Sequence, residues 1–134
     1  MVPRLYGAVR PGAEYSRSLA VLRYAAEHAP AGTAIKTGFM VGLGEERQEI
    51  RALLSDLCSA GVQMVTIGQY LAPTMRHYPV QRYITSDEFS RLAAEAEQAG
   101  FISVAAGPLV RSSYHAGEFY EQMLAGDFHK QANK

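Results

Sequence analysis

The hydrophobic pattern along this chain alternates between two periods. Apolar residues recur at spacings of three and four over 14–28, in the residues after Glu45 and over 85–99. That spacing places them on one face of an amphipathic helix. Each helical stretch is followed by a short, mostly apolar run, which predicts buried strands at 34–41, 62–68 and 101–105. The order helix, strand, helix, strand, helix, strand is typical of an α/β fold with a parallel sheet.

Local signals at the ends of these segments agree with the pattern. Thr85 and Glu88 form a capping-box pair at the start of the last helix. Gly100 stops that helix. The helix after Glu45 has the clearest amphipathic pattern, with an apolar stripe of Ile50, Leu53, Leu54, Leu57 and Gly61.

Two segments lie outside the alternation. Residues 1–14 are broken by proline and glycine, which predicts a loop. Residues 69–83 form a long polar and aromatic connection, and connections of this length inside a compact domain are usually functional or disordered. Arg76 and Arg82 are flanked there by aromatic residues, and they either bind an anion or belong to a solvated loop.

Three strands are too few for a self-contained parallel sheet. Such a sheet is normally covered on both faces, and unpaired edges promote association with other chains. We therefore expect either that the chain dimerises edge to edge, or that it is one part of a larger barrel. The other strands of that barrel would lie in another polypeptide or would have been lost.

Composition narrows the class of protein. The 134 residues are 48% hydrophobic and 19% charged, as in one ordinary globular domain. Thirteen basic and thirteen acidic side chains leave a formal net charge of +0, so neither nucleic acid nor an anionic membrane is expected as a partner. No apolar run approaches the roughly 20 residues that cross a bilayer. The single cysteine, Cys58, excludes an internal disulfide, and we expect it to be a small buried hydrophobic residue.

Candidate chemistry is concentrated where the first strand ends. Gly42 and Gly44 let the backbone turn tightly or approach a ligand closely. A dinucleotide fingerprint would need glycine in place of Arg47, so that interpretation fails. A simple strand-to-helix turn, with Glu45 favouring the helix N-terminus, explains the residues about as well as a ligand site does. The ligand-site hypothesis rests on a pattern whose alternate residues can face one ligand, namely Gly38, Met40, Gly42 and Glu45.

Six stretches, in order along nearly the whole chain, resemble the lipoyl synthase family. The glycine-glutamate turn among them is shared widely by radical S-adenosylmethionine (SAM) enzymes, whereas the Arg-Ser-Ser-Tyr motif is more specific. Gly7-Ala8 and residues 73–78 depart from the family pattern. The matching stretches are Val2-Pro3-Arg4-Leu5-Tyr6, Val9-Arg10-Pro11-Gly12-Ala13-Glu14-Tyr15, Met40-Val41-Gly42-Leu43-Gly44-Glu45, Gly68-Gln69-Tyr70-Leu71, Pro79-Val80-Gln81-Arg82-Tyr83 and Gly107-Pro108-Leu109-Val110-Arg111-Ser112-Ser113-Tyr114-His115-Ala116.

The resemblance implies the C-terminal half of a partial (βα)6 TIM-like barrel of radical SAM type, with parallel strands and outer helices. It implies SAM and two 4Fe-4S clusters as cofactors of the complete enzyme, with cluster cysteines that this chain lacks. It also implies that Ser113 is an oxygen ligand of the auxiliary cluster, a weaker iron ligand than a thiolate. The cofactor-binding residues implied in the same way are Gly38, Met40, Gly42, Glu45, Gln69 and Arg111.

The activity implied by the resemblance is the insertion of two sulfur atoms into an octanoyl chain on a lipoyl-carrier protein. Residues 15–110 would supply the βα units, and residues 111–134 the cluster-contacting motif and tail. We expect a truncated or split reading frame, inactive without an N-terminal half, in the cytoplasm or in mitochondria or plastids of a eukaryote. The alternative hypothesis is a non-catalytic βα remnant or binding module that pairs with another chain.

Overall fold

Three parallel strands form one sheet in the order β1-β2-β3. The computed structural model describes residues 1–113 together with Gly117 and Glu121. The sequence order matches the order in space, as expected when each strand is joined to the next by a helical crossover. The strands are β1 (Lys36–Val41), β2 (Met64–Gln69) and β3 (Ser103–Gly107).

Helices and strands alternate as predicted. α3 is the crossover from β1 to β2, and α4 is the crossover from β2 to β3, so the parallel α/β architecture is confirmed. The capping box of Thr85 and Glu88 and the left-handed Gly100, with φ of 113°, bound the last helix as expected. The helices are α1 (Tyr6–Val9), α2 (Tyr15–His28), α3 (Arg47–Ser59) and α4 (Ser86–Ala99).

The core lies between the sheet and the crossover helices. Odd-numbered positions of β1 and β2 face this core, among them Val41, Val65 and Ile67, all of which are almost fully buried. In β3 the register places Val104 and Ala106 on the same face. The helices contribute the predicted apolar stripes, whose buried members are Ile50, Leu53, Leu54, Leu57, Phe89, Leu92 and Ala96. Even-numbered positions of β1 and β2, and odd-numbered positions of β3, therefore lie on the opposite face of the sheet.

The N-terminal segment differs from the loop expected over residues 1–14. It contains a 3-10 turn at Pro3–Leu5 followed by the single helical turn α1. Proline is compatible with the first turn of a helix, because its missing N–H would have no intrahelical partner there. Val2 and Leu5, at helical spacing, are both buried in the core and hold the segment in place.

The last strand is shifted from the predicted position. It begins at Ser103 and not at Phe101, because Phe101 N–H donates to the carbonyl of Ala96 and closes the helix end. Ile102 N–H donates to the carbonyl of Gln63 at 2.8 Å, just before regular pairing with β2 starts. Within the described part of the chain, no helix combines the length and apolar character needed to span a membrane.

Candidate functional site

The turn after β1 is closed by its own glutamate. Gly42 and Gly44 have φ of 99° and 97°, a region that side chains rarely adopt. The Glu45 carboxylate accepts hydrogen bonds from the N–H groups of Gly42 at 2.6 Å and Leu43 at 2.9 Å. The predicted strand, tight turn and helix are present, and the Glu45 carboxylate stabilises the turn itself.

Gly42 is also where the long 70–85 connection docks. A Cβ at this position would collide with the carbonyl of Arg82 and the side-chain amide of Gln69. The Gly42 carbonyl accepts from the N–H groups of Gln81 at 2.8 Å and Arg82 at 3.3 Å. The glycine is therefore required by a close approach of the protein's own backbone.

Gln69 holds the same connection from the end of β2. Its side chain is buried, and its Nε2 donates to the carbonyls of Tyr70 at 3.0 Å and Arg82 at 3.1 Å. Its Oε1 accepts from Ile84 N–H at 2.9 Å. Because Gln69 pairs with Val41, its side chain belongs to the helix-covered side of the sheet.

Gly38 and Met40 lie together on the other face of the sheet. In register, Gly38 is beside Thr66 and Met40 is beside Gly68, so the face consists of small and polar groups around one exposed methionine. Met40 is 44% exposed. The structure thus brings Gly38 and Met40 onto one face, as the alternation predicted, and places the Gln69 side chain on the opposite one.

Arg111 approaches this face from the segment after β3. A Cβ at Gly68 would collide with the carbonyl of Val110 and lie 3.3 Å from Arg111 Nη1. Arg111 Nη1 donates to the Val110 carbonyl at 2.8 Å, and the residue is otherwise exposed. Arg111 therefore lies beside β2, on the face that carries Met40.

Ser113 lies in an exposed turn just beyond Arg111. Its motif neighbours Tyr114 and His115 are outside the described residues. Within the part of the chain that the structure describes, no group of three or more His, Cys, Asp or Glu side chains could hold a metal ion. The side chains of the described residues therefore do not form an iron-sulfur cluster site by themselves.

Cys58 is remote from this face. It lies on α3, is half-buried and packs against the core cluster, and its Sγ donates to the Ala99 carbonyl at 3.3 Å. Burial raises the pKa of the thiol, which disfavours the thiolate needed for metal binding or nucleophilic attack. The expected packing role agrees with these contacts, although the side chain is only partly buried.

Arg4 is a residue of this region that sequence reasoning missed. Its Nη2 donates to the Gly44 carbonyl at 2.9 Å, and its Nε donates to Glu49 Oε1 at 2.8 Å. Glu49 Oε2 accepts from Glu46 N–H at 2.8 Å and completes a capping box on α3. The Arg4 hydrogen bond is the main reason that the pKa of Glu49 falls to about 2. In the sequence, the three-residue spacing of Glu46 and Glu49 is the one signal that could have indicated this network, because it fits a capping box.

The tip of the 70–85 connection is ordered by its own hydrogen bonds. The Tyr70 hydroxyl donates to the Tyr78 carbonyl at 2.8 Å. Thr74 Oγ1 lies 2.8 Å from His77 Nδ1, and His77 N–H donates to the Thr74 carbonyl at 3.1 Å. Met75 stands fully exposed in the turn between them.

A parallel sheet covered by helices on one face, with glycine-rich turns at the carboxyl ends of its strands, defines an α/β protein and is consistent with a partial TIM-like fold. No protein-family model matches the chain. Its curated relatives, however, are lipoyl synthases.

The lipoyl synthase of Acidothermus cellulolyticus is 54% identical over 124 residues, which cover 92% of this chain and 38% of that protein. That of Rubrobacter xylanophilus is 55% identical over 125 residues, or 93% of this chain and 39% of that protein. That of Chlorobium chlorochromatii is 53% identical over 118 residues, or 88% and 40% respectively. The chain spans about two fifths of the length of the curated relatives that it matches. It is a lipoyl synthase homologue, and the match is consistent with the C-terminal portion of the enzyme, as the motifs predicted.

Proposed function

We propose that this chain supplies the C-terminal half of a lipoyl synthase, a radical SAM sulfurtransferase that inserts two sulfur atoms into a protein-bound octanoyl chain. The observation that carries the proposal is identity above 50% to lipoyl synthases over about nine tenths of the chain. Three parallel strands with helices on one face suit one half of a partial (βα)6 barrel. The N-terminal half and an octanoylated carrier protein are the partners in this proposal. Its compartment is the cytoplasm, or the mitochondria or plastids of a eukaryote.

The face of the sheet that carries Gly38 and Met40 fits one wall of a SAM site. Gly38 and Met40 present little bulk and one exposed thioether, and Arg111 adds a cation at the edge. In this proposal Gly42 and Glu45 form the turn that closes the wall. Gln69 acts through the connection that its amide holds, since its side chain lies on the other side of the sheet. SAM, when bound, supplies the radical chemistry of the complete enzyme.

A 4Fe-4S cluster does not fit this chain alone. The one cysteine is on the helix side of the sheet, where its thiol packs against the core. Ser113 is exposed and lies on the same segment as Arg111, so it can offer an oxygen ligand to a cluster held by the cysteines of another half. We propose that the chain is inactive by itself.

Complementation tests the proposal. The chain is mixed with an N-terminal half of a relative that carries the cluster cysteines, supplied with iron, sulfide, SAM, a reductant and an octanoylated lipoyl domain, and assayed for lipoyl formation by mass spectrometry. We expect product with the natural chain and with Ser112→Ala, and at least a tenfold loss with Ser113→Ala. The absence of product, while an intact relative works in the same buffer, would refute the proposal.

A further inference from the structure

The connections that follow β2 and β3 at the carboxyl edge of the sheet carry cations and no carboxylates, although the whole chain is neutral. Residues 69–85 contain two arginines and one histidine and no aspartate or glutamate. Arg82 forms an ion pair with Glu88 on α4. The guanidinium groups of Arg76 and Arg111 have no carboxylate partner among the described residues, and both residues are exposed. The described residues of these two connections therefore present a surplus of positive charge to solvent.

Large apolar side chains are exposed at the same edge. Met75 is fully exposed, Leu109 is 78% exposed and Tyr83 is 68% exposed. Leu71, also exposed, precedes them in the connection after β2. Extended exposed apolar patches rimmed by polar groups mark protein interaction sites, and methionine is favoured at such surfaces because it adapts to its partner.

The Met75 turn is already ordered before any partner arrives. Thr74 and His77 bracket it by hydrogen bonds, and Arg76 N–H donates to Thr74 Oγ1 at 3.2 Å. The base of the connection is fixed to Gly42 and Gln69. A preordered loop loses less conformational entropy on binding than a flexible one, which favours docking through this turn.

We propose that this carboxyl-edge surface docks the protein substrate through an acidic face of the carrier domain, with Met75 and Arg76 at its centre. The surface comprises Leu71, Met75, Arg76, Tyr83, Leu109 and Arg111. The inference rests on the proposed function and adds to it the place and chemistry of carrier recognition. The unpaired cations are electrostatically complementary to an acidic partner, and the exposed apolar side chains favour a protein surface as that partner. A nucleic-acid site would need a longer run of cations.

The test measures binding of the full chain to an octanoylated lipoyl domain with an acidic surface, by isothermal titration calorimetry. We expect the double variant Met75→Ala, Arg76→Glu to weaken binding about tenfold or more, as for a central apolar contact and its adjacent charge. The matched control is Val21→Ala, Arg17→Glu on the exposed face of α2, which likewise truncates an exposed apolar side chain and reverses one arginine charge. The control should stay within about twofold of the natural chain. Circular dichroism and urea unfolding verify that both variants fold.

Three results would overturn the docking proposal. The first is that the natural chain does not bind the lipoyl domain, and the second is that the two double variants bind it equally well. The third is that heparin displaces the domain equally from the natural chain and from the Met75→Ala, Arg76→Glu variant. Complementation separates this failure from that of the proposed function. If the Met75→Ala, Arg76→Glu variant has an unchanged KM for the carrier in that assay, the docking proposal alone is refuted. If the variants bind as expected but no lipoyl group is formed, the proposed function alone is refuted.

Discussion

Gly42 meets two constraints at once, a positive φ and a backbone approach from another segment. A side chain there is disfavoured by the φ of 99°, and a Cβ would also strike Arg82 and Gln69. We expect Gly42→Ala to lower the free energy of unfolding by about 2–4 kcal/mol, the sum of the left-handed cost and an overpacking cost. Urea unfolding at neutral pH measures this change.

Gly32 offers a matched control for that substitution. Its φ is 82°, and a Cβ there would meet nothing within 4 Å. Gly32→Ala should therefore cost only about 1–2 kcal/mol, the conformational part. Equal losses at the two positions would mean that the 70–85 connection does not press on Gly42.

At the scale of elements, Arg4 joins the N-terminal segment to the turn before α3. It contacts both the Gly44 carbonyl and Glu49, an interaction that spans about forty residues of chain. The pKa of Glu49 falls from 4.5 to about 2 in the folded chain, chiefly because of the Arg4 hydrogen bond. The folded state therefore binds protons less readily than the unfolded chain, and this pair stabilises the fold fully above pH 4.5.

That contribution should disappear as the pH falls from about 4.5 to about 2. We expect Arg4→Ala to lower the free energy of unfolding slightly at neutral pH, because it removes an exposed ion pair and its hydrogen bonds, and to flatten the fall in stability over this window. Urea unfolding from pH 7 to pH 2 measures both effects. Arg23→Ala, an exposed arginine of α2, should leave the slope unchanged. If the free energy of unfolding of Arg4→Ala still falls as steeply over this pH window, the fall does not come from Glu49.

The crossover helices could be predicted from sequence because their information is local. The α3 stripe is periodic, and Thr85 and Glu88 mark the start of α4 directly. The fold of residues 1–9 could not be predicted, since Val2 and Leu5 are ordered by a core that other segments build. The last strand was displaced for a related reason, because its start is set by pairing with β2 and not by its own apolar run.

The candidate site was predictable to a similar degree. The alternation of Gly38 and Met40 placed both on one face, because strand parity is a local rule. The partners of Gln69 were not predictable, since its amide bonds a segment thirteen and fifteen residues further along the chain. The ligand roles of these residues stay a prediction.

At the scale of the whole molecule, the sheet ends abruptly on both sides. Among the described residues no strand pairs with the outer edge of β1 or β3. Open edges present unpaired N–H and C=O groups to other chains. Ile102, next to the start of β3, is 43% exposed and adds an apolar group at that edge. The proposed N-terminal half would cover these edges, whereas a self-sufficient binding module would cover them with a second copy.

Self-association distinguishes these two arrangements. If the chain is half of a barrel, we expect sedimentation velocity to show polydisperse oligomers. Adding an N-terminal half should dissociate these oligomers and form a one-to-one complex. Ile102→Lys should reduce the oligomers several-fold, because a charge at a strand edge opposes edge pairing. Val21→Lys changes an exposed apolar residue of α2 in the same way, away from any strand, and should have no such effect. A different outcome is a discrete homodimer that persists when the N-terminal half is added, both for the natural chain and for Ile102→Lys. That outcome would identify the chain as a binding module whose sheet is completed by a second copy of the chain.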